Sequence, residues 1–169
     1  VIDSTNSIFY GYIGGGWVGL ASSALNLAAY GTADQTVLDT TLTNSTYLTK
    51  TVVTGGIYSF KIKIFFNNAG ATEGIKLALA GTAAYGATKA QILIYDDNLN
   101  TIVALARVTA AGSSVGTGIS SGVNYATIEG TVEIVTGGTF LVQFAQNATG
   151  ASAGVTLEKN SVMELIKVG

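Results

Sequence analysis

The chain contains no cysteine, no histidine and no proline. Without cysteine there are no disulfides, no thiolate metal sites and no cysteine nucleophile. Without histidine it lacks the commonest general base, the commonest metal ligand and the one side chain that ordinarily titrates near neutrality. Charge is also scarce: Asp, Glu, Lys and Arg make up 11% of 169 residues, with a formal net charge of -2, against about 25% charged residues in ordinary globular domains. Arg107 is the single arginine, and the seven lysines form no cluster. The electrostatic footprint of a nucleic-acid binder is therefore missing. A weakly charged surface rich in Ala, Gly, Thr, Ser and Asn suits a protein packed against neighbours, since low net charge favours association.

The longest uncharged run, Ser4 to Ala33, raises the question of a membrane span. The window from Ile8 to Tyr30 is long enough, but it holds Gly14-Gly15-Gly16, Ser22, Ser23 and Asn26 and lacks flanking Lys or Arg. It reads as neither a transmembrane helix nor a secretory signal. The chain begins at Val1, compatible with removal of an initiator methionine or of a longer leader.

What is present from Tyr47 onward is alternation. Tyr58, Phe60, Ile62, Ile64 and Phe66 fall on one face of a strand, with Ser59, Lys61 and Lys63 on the other. Phe140, Val142 and Phe144 repeat the pattern, with Leu141 and Gln143 outward. Ile75, Leu77 and Leu79 read as another strand, as do Ala90 to Tyr95, the face Ile102, Ala104, Ala106 and Val108, and Ser161 to Val168. Gly-, Ser-, Thr- and Asn-rich turns separate them. The spacing predicts an all-β fold, an antiparallel β-sandwich or jelly roll of about eight strands with an N-terminal extension. Ala24 to Tyr30 could supply a turn or two of helix, and Gly112 to Gly122 reads as a flexible loop.

The stretch VTGG occurs at Val53 to Gly56 and again at Val135 to Gly138, each time before an alternating run. Glycine pairs at such points predict hairpin turns, at related places in the two sheets. No helical pattern follows either copy, so a phosphate-cradling loop fails on context.

Chemistry is hard to place. Asp96, Asn98 and Asn100 begin like a calcium loop, but Thr101 stands at the required glycine and Arg107 at the bidentate acid, so DDNLN reads as a hairpin turn. Glu129 and Glu133 lie on one outward face, roughly 13 Å apart at strand rise. That is too far for a glycosidase pair and suits solvation or a salt bridge. No G-x-S-x-G elbow exists, and no histidine could activate a serine. The sequons at Asn44 and Asn147 read as turn polarity. These absences exclude the familiar catalytic constellations and predict a non-enzyme with no cofactor and no metal.

Three stretches together carry a resemblance: ADQTVLDTTLTNSTYLTKTVVTGGIYSFKIKIFF (33–66), EGTVEIVTGGTFLVQFAQNATG (129–150) and GVTLEKNSVMELIKVG (154–169). They resemble small structural proteins of tailed bacteriophages. The family often has a glycine before the serine where this chain has Lys159-Asn160-Ser161. The resemblance implies a jelly roll similar to tumour necrosis factor or C1q heads, often a homotrimer, located on a virion. Its task would be capsid decoration, binding the major capsid protein or other virion proteins, with no nucleic acid and no membrane as partner. Two alternatives are a tail or fibre-tip receptor-binding module and a secreted, extracellular filament subunit assembled by strand addition. Residues 1–33 lie outside the resemblance and are expected to form an arm or extra strand beside a 34–169 sandwich domain. There Phe9, Tyr10, Tyr12 and Trp17 are the expected partner contacts, being of the types that interface centres favour.

Overall fold

The computed structural model describes residues 2–3, 8–13, 15–22, 26–70, 73–149 and 154–169, and for 2–3, 8–13, 16–22 and residue 26 the backbone alone. Regular structure among the described residues is entirely strand. Three short strands, β1 (Ile2–Asp3), β2 (Ile8–Ile13) and β3 (Gly16–Ser22), form an antiparallel sheet of their own. There follow β4 (Asn26–Tyr30), β5 (Gln35–Val37), β6 (Thr43–Val52), β7 (Ile57–Asn68), β8 (Ile75–Ala80), β9 (Ala84–Asp96) and β10 (Thr101–Val108). The remainder are β11 (Ser114–Thr117), β12 (Gly122–Thr136), β13 (Gly138–Ala145), β14 (Val155–Leu157) and β15 (Val162–Lys167).

From β4 onward the strands pair in a nested series. β4 pairs with β15 and β5 with β14; inside them β6 pairs with β13, β7 with β12 and β8 with β11, all antiparallel. A ribbon folded back on itself and rolled into two layers is a jelly roll. The hairpin β9–β10 is inserted at the fold-back and adds to the larger sheet beside β12. The result is an eight-stranded sheet, β10-β9-β12-β7 followed by β14–β5 and β15–β4, facing a four-stranded sheet, β11-β8-β13-β6. The expected fold class is what forms. Its strand number exceeds eight because the outermost ribbon pair is broken in two and a hairpin is inserted.

Period-two alternation fills the space between the layers. Tyr58, Ile62, Ile64 and Phe66 of β7, and Phe140, Val142 and Phe144 of β13, are wholly buried, as expected. Ring contacts knit the layers: Phe60 lies 5.2 Å from Phe140, and Tyr85 meets Phe140 edge-on at 5.8 Å. Leu141, expected outward, is buried as well, because β13 is an interior strand with Thr49 and Ala80 on its two sides. Asn26–Tyr30 is a strand rather than a turn of helix, held by β15. Ser114–Thr117, inside the expected loop, pairs with β8.

The VTGG stretches are not hairpins. β6 and β13 belong to the small sheet, whereas β7 and β12 belong to the large one, so each VTGG carries the chain across the sandwich. Nested pairing sets the two corners side by side: Gly55 N–H donates to Ile134 O at 2.7 Å, Ile134 N–H to Gly56 O at 2.8 Å, and Gly137 N–H to Thr54 Oγ1 at 2.8 Å. Gly55 takes φ +72°, a conformation that favours glycine. Gly56 serves differently, since a Cβ there would lie 2.7 Å from the Tyr58 ring, whose hydroxyl accepts the Val53 N–H.

Candidate interaction surface

The outer face of the large sheet can be read across its strands from the pairing register. One row runs Phe65 (β7), Tyr125 (β12), Tyr95 (β9), Ile102 (β10). The next runs Val162 (β15), Lys63, Thr127, Leu93, Leu105, and the next Glu164, Lys61, Glu129, Gln91, Arg107. The first two rows are unusually apolar for a solvent-facing surface. Tyr95 and Tyr125 stack with centroids 4.4 Å apart and planes within 12°. Lys63 Nζ sits 5.1 Å above the Phe65 ring. Ile102 is 49% exposed, Leu105 60%, Val123, one row beyond the tyrosines, 50%, and Tyr30, opposite Val162, 65%. Aromatic and aliphatic side chains are gathered on this face rather than scattered singly, which makes it the candidate interaction surface of the described residues.

A bulge builds part of this stripe. Ile102 was expected to share a face with Ala104, Ala106 and Val108. The register shifts between Ile102 and Ala104, so Ala104, Ala106 and Val108 stay inward while Ile102 joins Leu105 outside.

Beneath the aromatic row, the inner face carries a buried polar network on the neighbouring residues of the same strands. Asn124 Nδ2 donates to Asn68 Oδ1 at 2.9 Å and to Ser120 O at 3.0 Å, while its Oδ1 accepts the Asp97 N–H at 3.0 Å. Asp96 accepts the N–H groups of Leu99 and Ser120 at 3.1 and 2.9 Å. Burial pushes the Asp96 carboxyl upward, but hydrogen bonds from Ser120, Leu99 and Asn98 outweigh it and hold the group below its usual range. DDNLN is thus the β9–β10 hairpin turn, as expected, and Asp96 caps it. Flanking Tyr95 and Tyr125, these polar residues fix the strand ends from which the tyrosines project.

Glu129 pairs with Lys61 at 2.9 Å across β12 and β7, the salt bridge its outward position allowed. That hydrogen bond, the attached charge and Glu164 together raise the Lys61 ammonium above its ordinary value. Among the described residues no group of three His, Cys, Asp or Glu side chains is placed to hold a metal ion, and no helix is long and apolar enough to cross a membrane.

Of the expected contacts, Phe9, Tyr10 and Tyr12 fall on β2 and Trp17 on β3, where the backbone register sets Tyr12 opposite Trp17. Their side chains lie outside the described residues. The aromatic stripe of the large sheet was not singled out from sequence. Its signal was available, since Tyr95 and Tyr125 alternate out of phase with Ile92, Ile94 and Ile128, but only the pairing register shows that they meet.

No family model matches the chain, and no curated protein matches it. Among solved structures it is similar to a chain of the T13 IBDV viral particle, with TM-score 0.44 and 10% identity over 93% of this chain and 34% of that one. It is also similar to Eiger TNF from S. frugiperda, with TM-score 0.41 and 10% identity over 85% and 92% of the two chains. A third neighbour is the Yersinia pseudotuberculosis-derived mitogen, with TM-score 0.35 and 13% identity over 69% and 94%. The chain thus spans about a third of the viral-particle chain. At such scores the neighbours say nothing further about function. What the strand pairing defines is a jelly-roll domain with an apolar face open on its large sheet.

Proposed function

We propose that the chain is a non-enzymatic structural protein of a virion, a capsid decoration protein that self-associates as a homotrimer through the outer face of its large sheet. The observation that carries the reading is the outward stripe in which Ile102 and Leu105 are exposed and Phe65, Tyr125, Tyr95 and Leu93 are half-buried. The low charge content and the resemblance of residues 33–66, 129–150 and 154–169 to phage structural proteins support it. Burying such side chains contributes about 25 cal/mol per Å², and several linked copies turn weak contacts with the coat into avidity. Residues 1–25, including Phe9, Tyr10, Tyr12 and Trp17, are assigned to attachment on the major capsid protein. The division falls there because β4 begins at Asn26 and belongs to the sandwich by its pairing with β15.

Sedimentation equilibrium of the full chain at tens of micromolar should give three times the 17.2 kDa chain mass. Tyr125→Asp with Leu105→Asp should shift it to monomer. A wild-type monomer at that concentration, or a trimer unmoved by the double variant, refutes the assigned interface. Deleting residues 1–25 should leave a folded trimer that no longer binds shells of the virus carrying the chain. Attachment at unchanged affinity refutes the role of the N-terminal strands.

A further inference from the structure

The outer face of the large sheet changes character along its strands. Four residues from Tyr95 along β9, about 13 Å at strand rise, the apolar stripe gives way to an open groove of about 550 Å³ lined by Lys89, Gln91, Arg107, Thr109 and Glu129, with Ala90 and Val108 at its floor. That volume falls within the range of small-molecule sites, roughly 300 to 1,000 Å³.

The chemistry of the lining is specific. Register sets Arg107 directly beside Gln91, and Gln91 beside Glu129. Lys89 stands two residues further along β9 on the same face, about 7 Å away, and Thr109 follows the last residue of β10. Glu129 is already engaged by Lys61 at 2.9 Å. Among the described residues neither Arg107 nor Lys89 makes an ion pair or a hydrogen bond to an acid, so two cations face the groove with donors to spare. The guanidinium offers a planar fork that matches a carboxylate. Beside it stand an amide, a hydroxyl and the Lys61–Glu129 pair, which present both donors and acceptors. No aromatic or large aliphatic side chain lines the groove, so an apolar peptide anchor finds no seat. A polyol bearing one carboxylate matches every group present.

We infer that this groove binds an acidic sugar, a uronic- or sialic-type residue of a polysaccharide, with Arg107 and Lys89 on its carboxylate and Gln91, Thr109 and Glu129 on its hydroxyls. This adds surface-glycan binding to a protein whose proposed assembly uses the adjoining rows of the same sheet face. The two are tested separately, since the groove is read by ligand binding and the assembly by mass.

The experiment is titration of the full-length protein, followed by ¹⁵N-HSQC and calorimetry, with oligogalacturonate, the matching neutral galactose oligomer and inorganic phosphate. Saturable binding of the acid oligomer is expected, with shifts centred on residues 89–91, 107–109 and 129. Arg107→Gln and Lys89→Ala should each weaken it at least about 10-fold, or 1.4 kcal/mol, while Lys159→Ala, an exposed cation in the β14–β15 turn, should leave it unchanged. Both groove variants alter exposed side chains, and an unchanged thermal melt confirms their fold. Equal affinity for the neutral oligomer, equal loss in Lys159→Ala, competition by phosphate at the same concentration as the sugar acid, or no binding would each overturn the assignment.

Discussion

Replacing Asp96 by Asn tests whether the buried polar network fixes the end of the sandwich that bears the tyrosines. Asp96 is 1% exposed and accepts two backbone N–H groups, from Leu99 at 3.1 Å and Ser120 at 2.9 Å, one on each carboxylate oxygen. An amide keeps one acceptor and turns an NH₂ group toward the other N–H. The change removes one charge-assisted hydrogen bond and strands a buried donor, for a loss of about 3 kcal/mol at pH 7. For a chain of this size that corresponds to a fall in Tm of roughly 6 to 12 °C. The pH dependence gives an internal control. Because the native carboxyl titrates below its unfolded value of 3.8, its stabilisation is complete above that value and is lost as pH falls through the native one. Urea unfolding followed by circular dichroism, at pH 7 and at about pH 2.5 with equal ionic strength, should therefore show a wide gap between wild type and variant at neutrality and a narrow one in acid. A gap under about 1 kcal/mol at pH 7, or the same gap at both pH values, would refute the role assigned to the carboxylate.

Two further substitutions probe the same principles elsewhere. Asn124→Ala leaves Asn68 Oδ1, Ser120 O and Asp97 N–H without their partner; it should cost about 3 to 5 kcal/mol and couple with Asp96→Asn in a double-mutant cycle of unfolding free energies, whereas strict additivity would count against a shared network. Gly56→Ala places a Cβ 2.7 Å from the Tyr58 ring; it should destabilise by about 1 to 3 kcal/mol in the same urea assay, with Tyr58→Leu in the background relieving part of the loss.

The elements with strong alternation were legible in the sequence. β7, β8 and β13 declare a buried face every second residue, and Ile62, Leu77 and Val142 lie where that pattern puts them. Connections were not legible, because a turn followed by a strand looks the same whether the strand returns to its own sheet or crosses to the other. That is why both VTGG corners read as hairpins. β11 was hidden by composition, its Ser-Val-Gly-Thr being loop-like until β8 supplies a partner. The bulge near Val103 shifted the face of Ile102, and no residue type there announces it. For the interaction surface, sequence pointed to N-terminal aromatics because they are concentrated in one run. Phe65, Tyr95 and Tyr125 are dispersed over sixty residues and become one surface only through long-range pairing.

The stacking of the two corners has a bearing on how the chain acquires its shape. Gly55 N–H bonds to Ile134 O and Gly137 N–H to Thr54 Oγ1, so neither corner is complete until about eighty residues of intervening polypeptide have been made and placed. Among the described strands of the sandwich only the β9–β10 hairpin closes locally; every enclosing pair spans a longer loop, and loop-closure entropy rises with each. The molecule is therefore expected to nucleate at its middle and zip outward, with high contact order and slow folding, and its two outermost strand pairs are the last to lock.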